Sequence, residues 1–135
     1  MTATPLHTAG NAVPPVDGTE LGDVIDDLAG IHAGIEFNRD GLRHIALDRH
    51  DLDRTQTLIA ALAGSPDCDL ITAIGLTVQR LATAESNPAL RTLPLDVQKT
   101  AQLLGERIAF ALADPEIHHL AAELAAVIDQ QGHRS

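Results

Sequence analysis

The sequence predicts an all-α protein, and both its composition and its apolar periodicity indicate this fold class. It contains 21 alanines but only two phenylalanines and no tryptophan or tyrosine, so strong helix formers are abundant and the residues that favour strands are scarce. Apolar residues recur at intervals of three and four, and no segment alternates with a period of two over the length of a strand. We therefore expect a compact bundle of about five amphipathic helices, forming one domain over residues 17–132.

The N-terminal segment and the first helix differ sharply in composition. Residues 1–16 contain three prolines and no Lys or Arg, which predicts a flexible, disordered tail. A helix is expected to begin near Thr19 and to continue to Ile35, with Gly30 inside it. Its pattern extends to Leu47, where Gly41 is either a break or a tolerated interior glycine. The apolar residues at helical spacing in the first part are Leu21, Val24, Ile25, Leu28, Ile31 and Ile35.

Capping residues and prolines predict the remaining helices. We expect them to pack mainly antiparallel, because the connections between them are short. Their expected limits are Asp51 to Gly64, Ser65–Pro66 to the residues before Asn87, Pro94 to about Leu112, and Asp114–Pro115 to Gly132. On the helix that starts at Pro94, the main apolar stripe is expected to face the core and consists of Val97, Ala101, Leu104, Ile108, Ala111 and Leu112.

The charge and the single cysteine restrict the class of partner and the compartment. The formal net charge is −10, and Lys99 is the only lysine; such a field repels nucleic acid and anionic membranes, so neither is an expected partner. Cys68 is the only cysteine, which excludes an intrachain disulfide and favours a cytoplasmic protein. We expect this thiol to be partly buried. No apolar run is long enough to span a bilayer, so the protein is expected to be soluble.

One pattern in the sequence suggests a metal site. His32 and Glu36 are one helical turn apart, and Glu116, His119 and Glu123 contain the Glu-x-x-His spacing of di-iron helical bundles. Helical projection places His32 on the apolar stripe of the first helix, whereas the second cluster faces outward. The metal alternative therefore uses His32, Glu36, His119 and Glu123, and the competing interpretation of His32 is a histidine at the edge of the core.

A second pattern predicts a contact surface. Leu103 and Phe110 are seven residues apart and project opposite the main apolar stripe of their helix, while Leu76 and Phe37 lie off the stripes of two other helices. These four residues are the predicted interface. Either they belong to helices that the same chain covers on both sides, or they meet another subunit.

The sequence contains no catalytic motif and no phosphate-binding loop, so no catalytic or cofactor-binding residue is assigned, no cofactor is identified, and an enzyme is not expected. We expect a helical protein that acts by protein–protein association, as a homo-oligomer or as an adaptor, regulator or inhibitor of another protein. The alternatives are a metal-binding bundle of the di-iron or haemerythrin-like kind and a small-molecule carrier.

Overall fold

A computed structural model describes residues 12–65 and 68–134, and within these ranges the protein is helical and has no strand. The prediction of an all-α bundle is confirmed. The α-helices are α1 (Glu20–Asp27), α2 (Ala33–Leu47), α3 (Leu52–Ile59), α4 (Leu70–Leu81), α5 (Leu95–Leu112) and α6 (Pro115–Arg134), with a π-helical turn at Ala60–Gly64 that continues α3 and a 3-10 segment at Pro88–Thr92 between α4 and α5.

The chain divides into two compact units, the first ending at Arg49 and the second beginning at His50. That residues 17–132 form one domain stays a prediction. Most of the predicted tail, residues 1–11, lies outside the described residues; Val13 to Pro15 are exposed and have no regular structure, whereas Val16 is buried.

The first unit contains α1 and α2, and the expectation of one continuous helix from Thr19 to Ile35 is wrong. Gly30 has a φ of 79°, a left-handed conformation that glycine adopts at little cost and that ends a helix. The chain then turns, and His32 caps the start of α2. Gly41 is tolerated inside α2, where a Cβ atom would meet nothing within 4 Å.

The second unit consists of two antiparallel helix pairs. α4 packs along α5, and α3 with its π-helical turn packs along α6; the π-helical turn also contacts α4. The amide of Gln56 in α3 lies 3.3 Å from Asp129, late in α6, whereas Gly64, at the end of the π-helical turn, lies against Ala121, early in α6; the two contacts together show that this pair is antiparallel. The expectation of antiparallel neighbours is confirmed for these pairs.

Small residues form the line of contact between α4 and α5. A Cβ atom added to Gly105 would lie 2.6 Å from the Cβ of Ala82, and one added to Gly75 would lie 3.1 Å from the Cα of Ala109. Both distances are shorter than normal contacts between carbon atoms, so the two backbones approach closely because these positions lack side chains.

Most large apolar side chains consequently lie beside the contact line, although Leu112 is on it, with its Cβ 3.3 Å from the position of a Cβ atom on Gly75. Among the described residues of the second unit, no Leu, Ile, Val or Phe is buried; Val16 and Ile25 of the first unit are the buried apolar residues. The expectation that Val97, Leu104 and Ile108 face the core is therefore wrong, since all three are at least two-fifths exposed.

Two predicted helix limits need correction. α4 begins at Leu70 and is capped by Asp69, whose side chain accepts a hydrogen bond from the amide of Thr72; the predicted start at Ser65–Pro66 is wrong. α6 begins at Pro115 as expected but continues past Gly132 to Arg134. Asp51 caps α3 and α5 begins directly after Pro94, both as predicted.

No helix in the described ranges combines the length and the apolar character that crossing a membrane requires.

The close approach of α4 and α5 predicts opposite effects of one substitution at two glycines. Gly105→Ala places a methyl group against Ala82, and we expect a net loss of about 1 kcal/mol in unfolding free energy because overpacking outweighs the better helix propensity of alanine. Gly41→Ala is the matched control, and we expect it to add about 0.5–1 kcal/mol. Urea unfolding followed by circular dichroism measures both; a stabilised Gly105→Ala variant would contradict the close contact.

Candidate functional site

The most buried polar contact of the second unit joins the two helix pairs. Nδ1 of His118, in the first turn of α6, lies 2.7 Å from Oδ2 of Asp69, the residue that caps α4, and both side chains are almost completely buried. Asp69 also accepts hydrogen bonds from the amides of Thr72 and Ser65, at 2.9 and 3.2 Å. One carboxylate thus connects the end of the π-helical turn, the start of α4 and the start of α6.

The surroundings of Asp69 favour its ionised form. Burial raises the pKa of this carboxyl, but hydrogen bonds from Thr72 and Ser65, together with the nearby His118, outweigh that effect and lower the pKa below its ordinary value of 3.8. Asp69 therefore contributes stability that is present above this ordinary value and is lost as the pH falls through the lowered pKa.

Sequence reasoning did not identify this pair. No motif in the sequence marks His118, and Ser65 with Pro66 gives a stronger signal for a helix start than Asp69 does. A usable signal exists: His118 is in register with Ala121 and Ala125, the small residues of α6 that turn toward α3 and its π-helical turn. A polar residue on a small-residue contact line needs a partner when it is buried.

The predicted metal residues have other roles in the first unit. His32 is exposed, and its Nδ1 accepts a hydrogen bond from the amide of Gly34 at 2.8 Å, so its expected place at the edge of the core is wrong. Glu36 accepts a hydrogen bond from the amide of Gly30 at 2.6 Å and pairs with Arg39. The hydrogen bond from Gly30 is the main cause that lowers the pKa of Glu36.

In the second unit, His119 and Glu123 are exposed and lie 3.8 Å apart on one turn of α6. No group of three or more histidine, cysteine or acidic side chains that could hold a metal ion occurs within residues 12–65 and 68–134. Cys68 is exposed, which corrects the expectation of a partly buried thiol.

The four predicted interface residues all lie on the surface. Leu76 and Leu103 are each 56% exposed, Phe37 is 77% exposed and Phe110 is 81% exposed. Whether another subunit covers them stays a prediction.

Two larger apolar surfaces lie beside the contact lines of the helix pairs. We projected α4 and α5 at about 100° per residue, with their contact lines facing one another. Because the two helices are antiparallel, their residue angles increase in opposite senses, and the exposed apolar residues that flank the contact line fall on the same side of the pair. We call this set the α4–α5 face: Ile74, Leu81, Val97, Leu104 and Ile108. The corresponding α6 face contains Ile117, Leu120, Leu124 and Val127.

The α4–α5 face is free of charge, and the α6 face has one charged residue at its edge, Glu116, about 20° from Val127 in helical projection. The other residues in the sectors that carry the two faces are apolar or uncharged, although the chain as a whole has a net charge of −10. Exposed apolar surface of this extent is typical of a protein–protein contact.

No protein-family model, curated protein or solved structure matches this chain.

The buried contact between Asp69 and His118 predicts that substitutions of two adjacent histidines change the free energy of unfolding unequally. His118→Ala leaves the Asp69 carboxylate buried without its partner, and we expect a loss of about 3 kcal/mol or more in unfolding free energy. His119→Ala is the control, and we expect a change within about 0.5 kcal/mol because this side chain is exposed. Chemical denaturation at neutral pH measures both; equal effects would contradict the structural role of this contact.

Proposed function

We propose that this protein functions by self-association, and that a second copy of the chain covers the α4–α5 face and the α6 face. The observation that supports the proposal is that each helix pair of the second unit exposes an apolar face whose side chains are each at least two-fifths exposed, while none of the described Leu, Ile, Val or Phe residues of this unit is completely buried. A two-helix layer with one open apolar face is half of a four-helix bundle.

Charge favours a second copy as the occupant. Two chains that each carry a net charge of −10 repel one another at long range, so self-association requires contacts in which acidic residues of the two copies do not face one another. The two faces meet this condition, and contacts with the same surface on both subunits are the usual arrangement in homo-oligomers.

The free energy of burial is sufficient for association. Completing the burial of a half-exposed aliphatic side chain contributes roughly 1 kcal/mol. The nine side chains of the two faces, counted on both subunits, therefore contribute roughly 15–20 kcal/mol, which exceeds the roughly 4–15 kcal/mol lost in translational and rotational freedom.

A charge introduced into the α6 face tests this proposal. Leu124→Asp would bury an unpaired carboxylate in the assembly, so we expect it to shift the protein toward the 14.3 kDa monomer in multi-angle light scattering while the helical circular dichroism signal is kept. Ala126→Asp is the control, because Ala126 is exposed on the other side of α6, and its assembly should match that of the wild type.

Two results would contradict self-association. One is a wild type that is monomeric at every concentration tested. The other is loss of the helical signal in Leu124→Asp with the wild type monomeric, which would show that the same chain covers the α6 face.

A further inference from the structure

α5 carries a third surface, on the side of the α4–α5 pair away from the α4–α5 face. We call it the α5 seam: Leu95, Lys99, Leu103, Glu106 and Phe110, all exposed. Leu95 is 73% exposed and Phe110 is 81% exposed, and the same projection places Leu76 of α4 on this side of the pair. The seam differs from the two faces because it alternates apolar residues with one basic and one acidic residue.

The order of residues along the seam is self-complementary. Leu95 stands one helical turn before Lys99, and Phe110 stands one turn after Glu106, with Leu103 between the two charges. Read in the opposite direction, the order is again apolar, charged, apolar, charged, apolar, with the signs of the two charges exchanged.

From this order we infer that two copies of the chain meet through the α5 seam, with their α5 helices antiparallel across a two-fold axis near Leu103. This inference rests on the proposed self-association and adds a second contact between copies, on the side of the pair away from the α4–α5 face, together with its orientation; an assembly that uses both contacts contains more than two copies. Lys99 of each copy then lies opposite Glu106 of the other, and Leu95 lies opposite Phe110. A parallel arrangement is excluded because it places Lys99 opposite Lys99 and Glu106 opposite Glu106.

The two charges are available for such a contact. Neither Lys99 nor Glu106 forms an ion pair or a side-chain hydrogen bond within residues 12–65 and 68–134. Lys99 is also the only lysine of the chain, and it lies between Leu95 and Leu103 on the seam. Opposite charges at the edge of an apolar contact determine orientation and partner choice more than affinity.

Reversal of the two charges, singly and together, tests the seam. Lys99→Glu places two acidic pairs in the contact, and Glu106→Lys places two basic pairs there, so we expect each single variant to raise the dissociation constant of the assembly at least about tenfold. The double variant restores both opposite-charge pairs and the net charge of the wild type, and it should return to within about threefold of the wild-type value. Sedimentation equilibrium measures all three against the wild type.

A charge reversal off the seam controls for net charge. Glu123→Lys on α6 changes the net charge by the same amount as Glu106→Lys, and its dissociation constant should match that of the wild type. The seam would be wrong if the single variants assemble like the wild type, or if the double variant is no tighter than either single variant. An oligomeric wild type that is weakened by Leu124→Asp but not by Lys99→Glu would retain the proposed function and overturn the seam alone; a monomeric wild type would overturn both.

Discussion

The close contact of small residues between paired helices determines most of the properties of the second unit. Gly75 and Gly105 allow α4 and α5 to approach so closely that an added Cβ atom would collide with the partner helix. Glycine and alanine occupy most of the contact line, so five apolar side chains of the same helices, Ile74, Leu81, Val97, Leu104 and Ile108, lie beside it and stay 42–60% exposed. The helix pairs are thus joined by van der Waals contact of backbones, while most of the hydrophobic free energy is left for a further contact.

A buried polar contact, which we call the Asp69–His118 junction, accompanies this close packing of small residues. The Asp69 carboxylate receives two backbone amides and lies against His118, so a single buried group fixes the start of α4, the end of the π-helical turn and the start of α6. Buried polar contacts of this kind are strongly directional, and their main effect is to select one arrangement of the elements that they join. The junction positions the two helix pairs, and the pairs then present their apolar faces.

The sequence predicts the helices better than it predicts their contacts. Fold class and several helix ends follow from composition, caps and prolines, as at Asp51, Pro94 and Pro115. The break at Gly30 was missed because apolar periodicity continues across it, and a φ of 79° leaves no trace in that periodicity. The side of α5 that packs against α4 was predicted wrongly. Hydrophobicity favours Leu104 and Ile108 as the packed residues, whereas the close contact with α4 is formed at Gly105 and Ala109. The sequence places Phe110 opposite the main stripe but does not decide between burial by the same chain and contact with another subunit; in the structure it is 81% exposed.

Self-association links folding to concentration, and the midpoint of thermal unfolding measures that link directly. If a second copy covers the apolar faces, the folded assembly is favoured by mass action, and raising the chain concentration from about 1 to about 100 µM should raise the midpoint by several degrees. A midpoint that stays constant across this range would show that the chain folds as a monomer and would contradict the account.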